Sequence, residues 1–333
     1  MKKSLWAISL LVLASVARAD EYQFIKQIPV GGEGGWDYLA IDGQAQRLYV
    51  SHASKIIVVD LNNGSVAGAI ADTPGVHGFA IAPELGRGFS SNGRENKVSV
   101  VDLKTLKTIS KIETGENPDA IVYDSGRHEV YAFNGRSGSA SVIDAKSAKV
   151  VATIPLDGKP EFAAADPESG RVFCNIEDKN EIAAIDTKSH SVVARWPLAP
   201  GEEPSGLAFD AAHHRLFAGC ENKLLVMMDS TNGKVLATAP IGAGVDACAF
   251  DAEKQLAFAS CGDGTLTIAR PNGDKLDVAQ TVQTERGART MALDPVTHRV
   301  YLATAKFDPT QKDERGRPKM IDGTFHLLEY GSK

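Results

Sequence analysis

VSVVD at 98–102 recurs as ASVID at 140–144, each an apolar run closed by aspartate. The pattern continues in both directions, as IIVVD (56–60), IAAID (182–186) and LVMMD (225–229). Asp60, Asp102, Asp144 and Asp186 are each 42 residues apart, and Asp229 follows 43 further on. A second landmark is an aromatic that leads a short strand: Tyr49, Phe89, Tyr131, Phe173, Phe217, Phe258 and Tyr301, spaced by 40 to 44. A third is a strand ending at Asp42, Ala82, Asp124, Asp166, Asp210, Asp251 and Asp294. The three landmarks keep one order, which gives seven units.

Each unit reads as four strands. In the fifth they are GLAFD (206–210), RLFAGC (215–220), KLLVMMD (223–229) and, after the turn STNGK, VLATAPI (235–241). Branched and aromatic residues in short runs bounded by Asn, Gly, Asp and Pro are strand signals. A four-stranded unit of about 40 residues is a propeller blade, because one such sheet cannot bury both of its faces alone. The fold class is therefore all-β: a seven-bladed propeller of four-stranded antiparallel blades. The seventh unit lacks its outer strand, and FIKQIPVGGEGGWDYL (24–39) aligns with VVATIPLDGKPEFA (150–163). Phe24 to Ile28 is thus expected to pair with Phe325 to Leu328 and close the ring.

Residues 1–19 read as a cleavable export signal. Lys2 and Lys3 precede an apolar run from Leu5 to Val16, and Ala17-Arg18-Ala19 fits the cleavage pattern. The run is too short to span a bilayer, which takes about 20 residues. The expected location is the periplasm or exterior, with residues 20–333 forming one domain. Losing Lys2, Lys3 and Arg18 moves the formal charge from −6 to −9. That balance disfavours nucleic acid and anionic lipid as partners. A monomer is expected, with a small-molecule or protein ligand and no membrane span.

The strands that carry YVSH (49–52), FSSN (89–92) and YAFN (131–134), with VSVVDL and ASVIDA after them, resemble the YVTN-type β-propeller repeat family. The resemblance is to its YncE-like periplasmic branch and covers essentially the whole mature chain. It implies a propeller fold and an exported location. Family relatives include binding modules and propeller domains of larger redox enzymes. The tryptophan-aspartate ending of WD40 repeats is absent from the blades.

Ligand sites favour the mouths of closed β-structures. Five residues before the third landmark lie Asp37, His77, Asp119, Glu161, Ser205, Asp246 and Arg289, all polar. Three after each aromatic lie His52, Asn92, Asn134, Ile176, Cys220, Cys261 and Thr304, with Asn175 one place earlier in the fourth unit. The two sets are expected to face each other across the opening. A clustered set of this kind shifts its members' pKa values, although lining a wet channel also requires polar groups. In SNGREN (91–96) and FNGRSG (133–138), Arg94 and Arg136 stand 42 residues apart. They form a candidate clamp for a carboxylate or phosphate, with Arg286 and Arg289 nearby. Trp36 after GGEGG is a candidate stacking platform.

No cofactor is expected, with a divalent cation as the open alternative. It would be held by Asp37, His52 and His77, or as Ca²⁺ by Asp119, Glu161 and Asn134. His128, His190, His213, His214 and His298 fall at turns and are expected to be solvated. Cys174, Cys220, Cys248 and Cys261 are expected to be small buried hydrophobes. No nucleophile elbow, zinc-protease helix, phosphate loop or dinucleotide fingerprint occurs. Residues 305–322, rich in charge and proline, read as a mobile loop inserted in blade 7. The functional reading is ligand or partner binding at the channel mouth without catalysis. The alternatives are a metal-assisted hydrolase or lactonase, and a pure surface interaction scaffold.

Overall fold

The computed structural model describes residues 21–312, 316 and 318–332. The export-signal reading of residues 1–19 lies outside them. Seven four-stranded antiparallel sheets are arranged in sequence order. Blade 1 consists of Trp36–Asp42, Arg47–His52, Lys55–Asp60 and Ser65–Ile70, and blades 2 to 6 repeat that order. Inner strands touch in succession around the ring, from Trp36–Asp42 to Val76–Ala82 and onward to Thr290–Leu293, which returns to the first. No helix among the described residues is long and apolar enough to cross a membrane.

The repeated aspartates have a local reason. Asp102 Oδ1 accepts from the backbone N–H groups of Lys104 and Thr105 at 3.0 and 2.7 Å, and Asp186 does the same for Lys188 and Ser189. Asp124, Asp166 and Asp251 close the inner-strand turns in the same way. Side-chain acceptors thus replace ladder partners where each strand ends. All seven landmark aromatics are 1% exposed or less and pack between sheets.

Four second-strand arginines, together with Arg127 in the turn before a second strand, stitch blades 1 to 5 each to the next. Arg47 donates to the Leu103 carbonyl at 2.8 Å, Arg87 to Ala145 at 2.7 Å and Arg127 to Thr187 at 2.8 Å. Arg171 and Arg215 continue the series onto Ser230 and Gly273. Three of the histidines expected to be solvated share this work: His128 faces Glu84, His190 faces Glu129 at 3.0 Å and His298 faces Asp251 at 2.8 Å. His213 is the more exposed member, beside Asp210. All four cysteines are buried free thiols.

Blade 7 is assembled from both ends of the chain. Its order is Thr290–Leu293, Val300–Thr304, His326–Ser332 and finally Tyr22–Pro29. Ile28 pairs with Leu327 and Phe24 with Tyr330, as the alignment of the ends predicts. The inserted segment 305–322 differs from expectation. It contains a hairpin, Phe307–Lys312 paired with Pro318–Met320, rather than a loop without strands. Its charges and prolines hid this, because the pairing is anchored by one aromatic. Phe307 lies across from Met320, against Trp36 at 6.2 Å between ring centroids. A Cβ on Gly287 (φ +84°) would stand 3.0 Å from the Phe307 ring, so only glycine lets the ring settle there.

Candidate functional site

The polar ring and the strand bulges coincide. Pairing of the inner strands with their neighbours slips between Trp36 and Leu39, Val76 and Phe79, Pro118 and Ile121, and Pro160 and Ala163. The same slip follows Pro204 and Val245. Asp37, His77, Asp119, Glu161, Ser205 and Asp246 all stand inside these irregularities. A bulge re-aims side chains out of the pleat, here toward the axis.

Three consecutive blades bring ligand-type atoms together. His77 Nδ1 lies 2.6 Å from Asp37 Oδ2 and 3.7 Å from Asp119 Oδ1, and one donor atom from each residue lies within 4.8 Å of the others. On the other side of the ring the Arg289 guanidinium meets Asp246 at 3.4 Å. Lys159 Nζ reaches Glu161 at 2.8 Å and also pairs with Glu177.

Burial raises the pKa of every carboxyl in this set. It pushes Asp119 to about 6 and Glu161 to about 7, where the charge of Asp119 adds to the effect. Asp37 and Asp246 are also raised by burial, against the opposing pull of His77 and Arg289 respectively. Burial alone would lower His77. The Asp37 hydrogen bond, the charges of Asp119 and Asp37, and a hydrogen bond to Asn117 together raise it to about 9. Two carboxylates face its Nδ1, which favours the doubly protonated, charged ring.

The next residue along decides how deep the mouth is. Tyr38 of blade 1 and Phe162 of blade 4 meet with ring centroids 4.5 Å apart, bridging the channel. The equivalent residues elsewhere are small: Gly78, Ala120, Gly206, Ala247 and Thr290. At Gly206 a Cβ would stand 2.6 Å from the Cys248 backbone nitrogen. Tyr38 also moderates the rise at Asp119.

The second predicted set does not reach the opening. His52, Asn92, Asn134 and Asn175 are fully buried. Asn92 Nδ2 donates to Ser99 and Glu95, Asn134 Nδ2 to Ser139 and Ser141, and Asn175 Nδ2 to the Ser205 and Gly206 carbonyls. The reason is register. His52 pairs with Trp36, Asn92 with Val76 and Asn134 with Pro118, so these side chains turn between sheets. His52 packs on Phe325 at 4.4 Å with no hydrogen-bond partner at either nitrogen, and burial lowers it to about 4. It therefore does not join Asp37 and His77 as a ligand. Asn134 likewise does not join Asp119 and Glu161.

Among the described residues, neither expected clamp arginine pairs with a carboxylate of the ring. Arg94 is exposed with its stem over Gly75, and Arg136 borders a separate hollow of 590 Å³ beside Lys159 and Asp178. A larger cleft of 970 Å³ opens under the blade 7 hairpin. Trp36, Phe307, Met320 and Ile321 form its apolar wall, and Arg286, Arg289, Lys306 and Lys319 add cations. Its hairpin side comes from the insertion at 305–322, where the period breaks and gives no equivalent position to compare.

No protein-family model and no curated protein matches this chain. Solved structures do. "Crystal structure of RRP9 WD40 repeats" superposes with TM-score 0.80 at 10% identity, over 93% of this chain and 100% of that one. "Structure of U3-55K" gives 0.79 at 9% identity, over 92% and 98%. "Kuenenia stuttgartiensis Hydrazine Synthase" gives 0.70 at 16% identity, over 94% and 99%. At these identities the likeness establishes the fold, an all-β seven-bladed propeller, and the fold alone.

Proposed function

We propose that this chain is an exported, YVTN-type propeller that binds a small ligand at the channel mouth without converting it. The observation that carries the reading is the 970 Å³ cleft. It has the volume of a small-molecule site, about 300–1,000 Å³, and combines an apolar wall with a few polar groups. It adjoins the bulged ring through Arg289, which contacts both. The Tyr38–Phe162 bridge supports binding in a cup at one end rather than passage through the axis. The YVTN-type assignment rests on the strand motifs, and export rests on residues 1–19. The acidic balance supports a small molecule over nucleic acid.

Titration with N-phenyl-1-naphthylamine, an uncharged dye that brightens in apolar sites, tests the cleft. One saturable site per chain is expected, and Phe307→Ala should weaken it about tenfold. Binding unchanged by Phe307→Ala would place the dye, and the site, elsewhere.

The Asp37–His77–Asp119 set favours a second reading, a divalent cation at the mouth. One imidazole and two carboxylates suit Zn²⁺ or Mn²⁺ better than Ca²⁺. Tetrahedral zinc needs donor atoms about 3.3 Å apart, given Zn–ligand distances of about 2.0–2.2 Å. The 3.7 Å pair already approaches this spacing, and the 2.6 Å pair would have to open. Zn²⁺ must also displace the imidazolium proton. Calorimetry at pH 7 in buffers of different ionisation enthalpy should show one ion bound and about one proton released. Asp37→Asn and Asp119→Asn should each abolish that signal. Zinc uptake without proton release would exclude this set.

A further inference from the structure

The cleft beside Trp36 carries a charge that the rest of the molecule does not. The chain is acidic, with a formal net charge of −6, yet four cations line this cleft against two anions, Glu285 and Asp322. One anion is already engaged, with Glu285 Oε2 3.1 Å from His326 Nε2. One cation is engaged as well, with Arg289 3.4 Å from Asp246. Among the described residues, Arg286, Lys306 and Lys319 have no carboxylate oxygen within 4.0 Å. Three unpaired cations on a shared concave surface raise the local concentration of anions and hold one by charge-assisted hydrogen bonds.

The cations come from both sides. Arg286 and Arg289 sit on the segment that leads into the inner strand of blade 7, whereas Lys306 immediately precedes the hairpin and Lys319 lies in its second strand. The hairpin is held over the mouth by Phe307 on Gly287 and Trp36. An occupant between the two sides would meet guanidinium and ammonium groups at one end and the Trp36–Phe307 wall at the other. Neither an inorganic anion nor a plain hydrocarbon uses both.

We propose that the cleft takes a small amphiphilic anion, a carboxylate, phosphate or sulfonate joined to a flat or aliphatic apolar body. This rests on the ligand-cleft reading and names the ligand chemistry of that site. Arg286 and the two lysines would hold the anionic head, and Trp36 and Phe307 the body.

Two dyes of nearly the same shape separate the claims. 8-Anilinonaphthalene-1-sulfonate carries the anion, and N-phenyl-1-naphthylamine lacks it. With the mature protein, the sulfonate is expected to bind one site at least tenfold more tightly than the neutral dye. The variant Arg286→Gln/Lys306→Gln/Lys319→Gln should lose that advantage. All three positions are exposed, and an unchanged melting temperature will show that the variant folds. Equal affinity of the two dyes for the wild type, or a triple variant that keeps the sulfonate preference, overturns the proposal while the cleft stands. Failure of both dyes to bind overturns the cleft reading with it. A sulfonate signal that survives Phe307→Ala unchanged places the anion outside this cleft and overturns the proposal too.

Discussion

A chain that lacks residues 21–29 should melt more than about 10 °C below the intact protein, or fail to give a cooperative transition. The segment supplies the outer strand of blade 7, with pairing from Tyr22–Ser332 to Pro29–His326. Its loss removes Tyr22 and Ile28, which are 1% and 2% exposed. Emptying two large buried positions costs about 5–8 kcal/mol on the scale of core truncations. Total stability is about 5–15 kcal/mol, so little or nothing remains. The loss is also not local. Tyr22 packs on Phe258 of blade 6 at 5.1 Å, and its hydroxyl donates to the His298 carbonyl at 2.9 Å. Without this strand His326–Ser332 becomes an open sheet edge, available for pairing between chains. Thermal melts followed by circular dichroism, with light scattering for association, test the expectation. A truncated chain that melts within about 2 °C of the intact one would contradict it. Adding a peptide of residues 21–30 in trans should restore part of the stability if strand pairing is the cause.

The second large effect is a fall in stability with rising pH. His77 moves from an ordinary value of 6.5 to about 9 in the fold, so the native state holds a proton that the unfolded chain releases. Its contribution is complete below pH 6.5 and disappears as pH rises through 9. Glu161 moves from 4.5 to about 7 and Asp119 from 3.8 to about 6, so both also bind protons more tightly when folded. Their contributions are lost on going up through pH 4–7. The three signs agree, and the ring opposes the common trend in which paired carboxylates make proteins more stable as acid is removed. For His77 the shift corresponds to at most about 3 kcal/mol, or several degrees in melting temperature. Melts at pH 6.5 and 9.5 should differ in this direction, and His77→Gln should shrink the difference without abolishing it, because burial also raises the four cysteine thiols above their ordinary value of 9. Glu161→Gln should flatten the interval below pH 7 and leave the alkaline one in place. A wild-type melting temperature that rises from pH 6.5 to 9.5 would show that His77 is not held as an imidazolium by Asp37 and Asp119.

Much of the site was legible because rotation turns sequence period into proximity. Asp37, His77 and Asp119 are 40 and 42 residues apart in the chain, yet His77 touches both carboxylates. The repeat places equivalent residues on adjacent inner strands, whatever the side chains are. The second set had the same period, and there the inference failed. Period fixes where along a blade a residue falls, but not which way it turns. His52, Asn92 and Asn134 stand opposite the first residue of the inner strand and point between sheets, whereas the bulge one step further sends Asp37, His77 and Asp119 to the axis. A bulge leaves no mark in a pattern of polar and apolar letters.

The sequence by itself determined the number of blades, the order of strands and the closure of the ring. These follow from spacing, from apolar runs and from aspartates that end strands. Only the tertiary structure decided that Tyr38 and Phe162 bridge the channel, that His52 is buried, and that Phe307 folds a charged insertion into a hairpin over Trp36. Each of these is a contact between residues at non-equivalent places in the repeat. A period carries no information about such contacts, because they depend on how far a side chain reaches across space that the other blades leave empty.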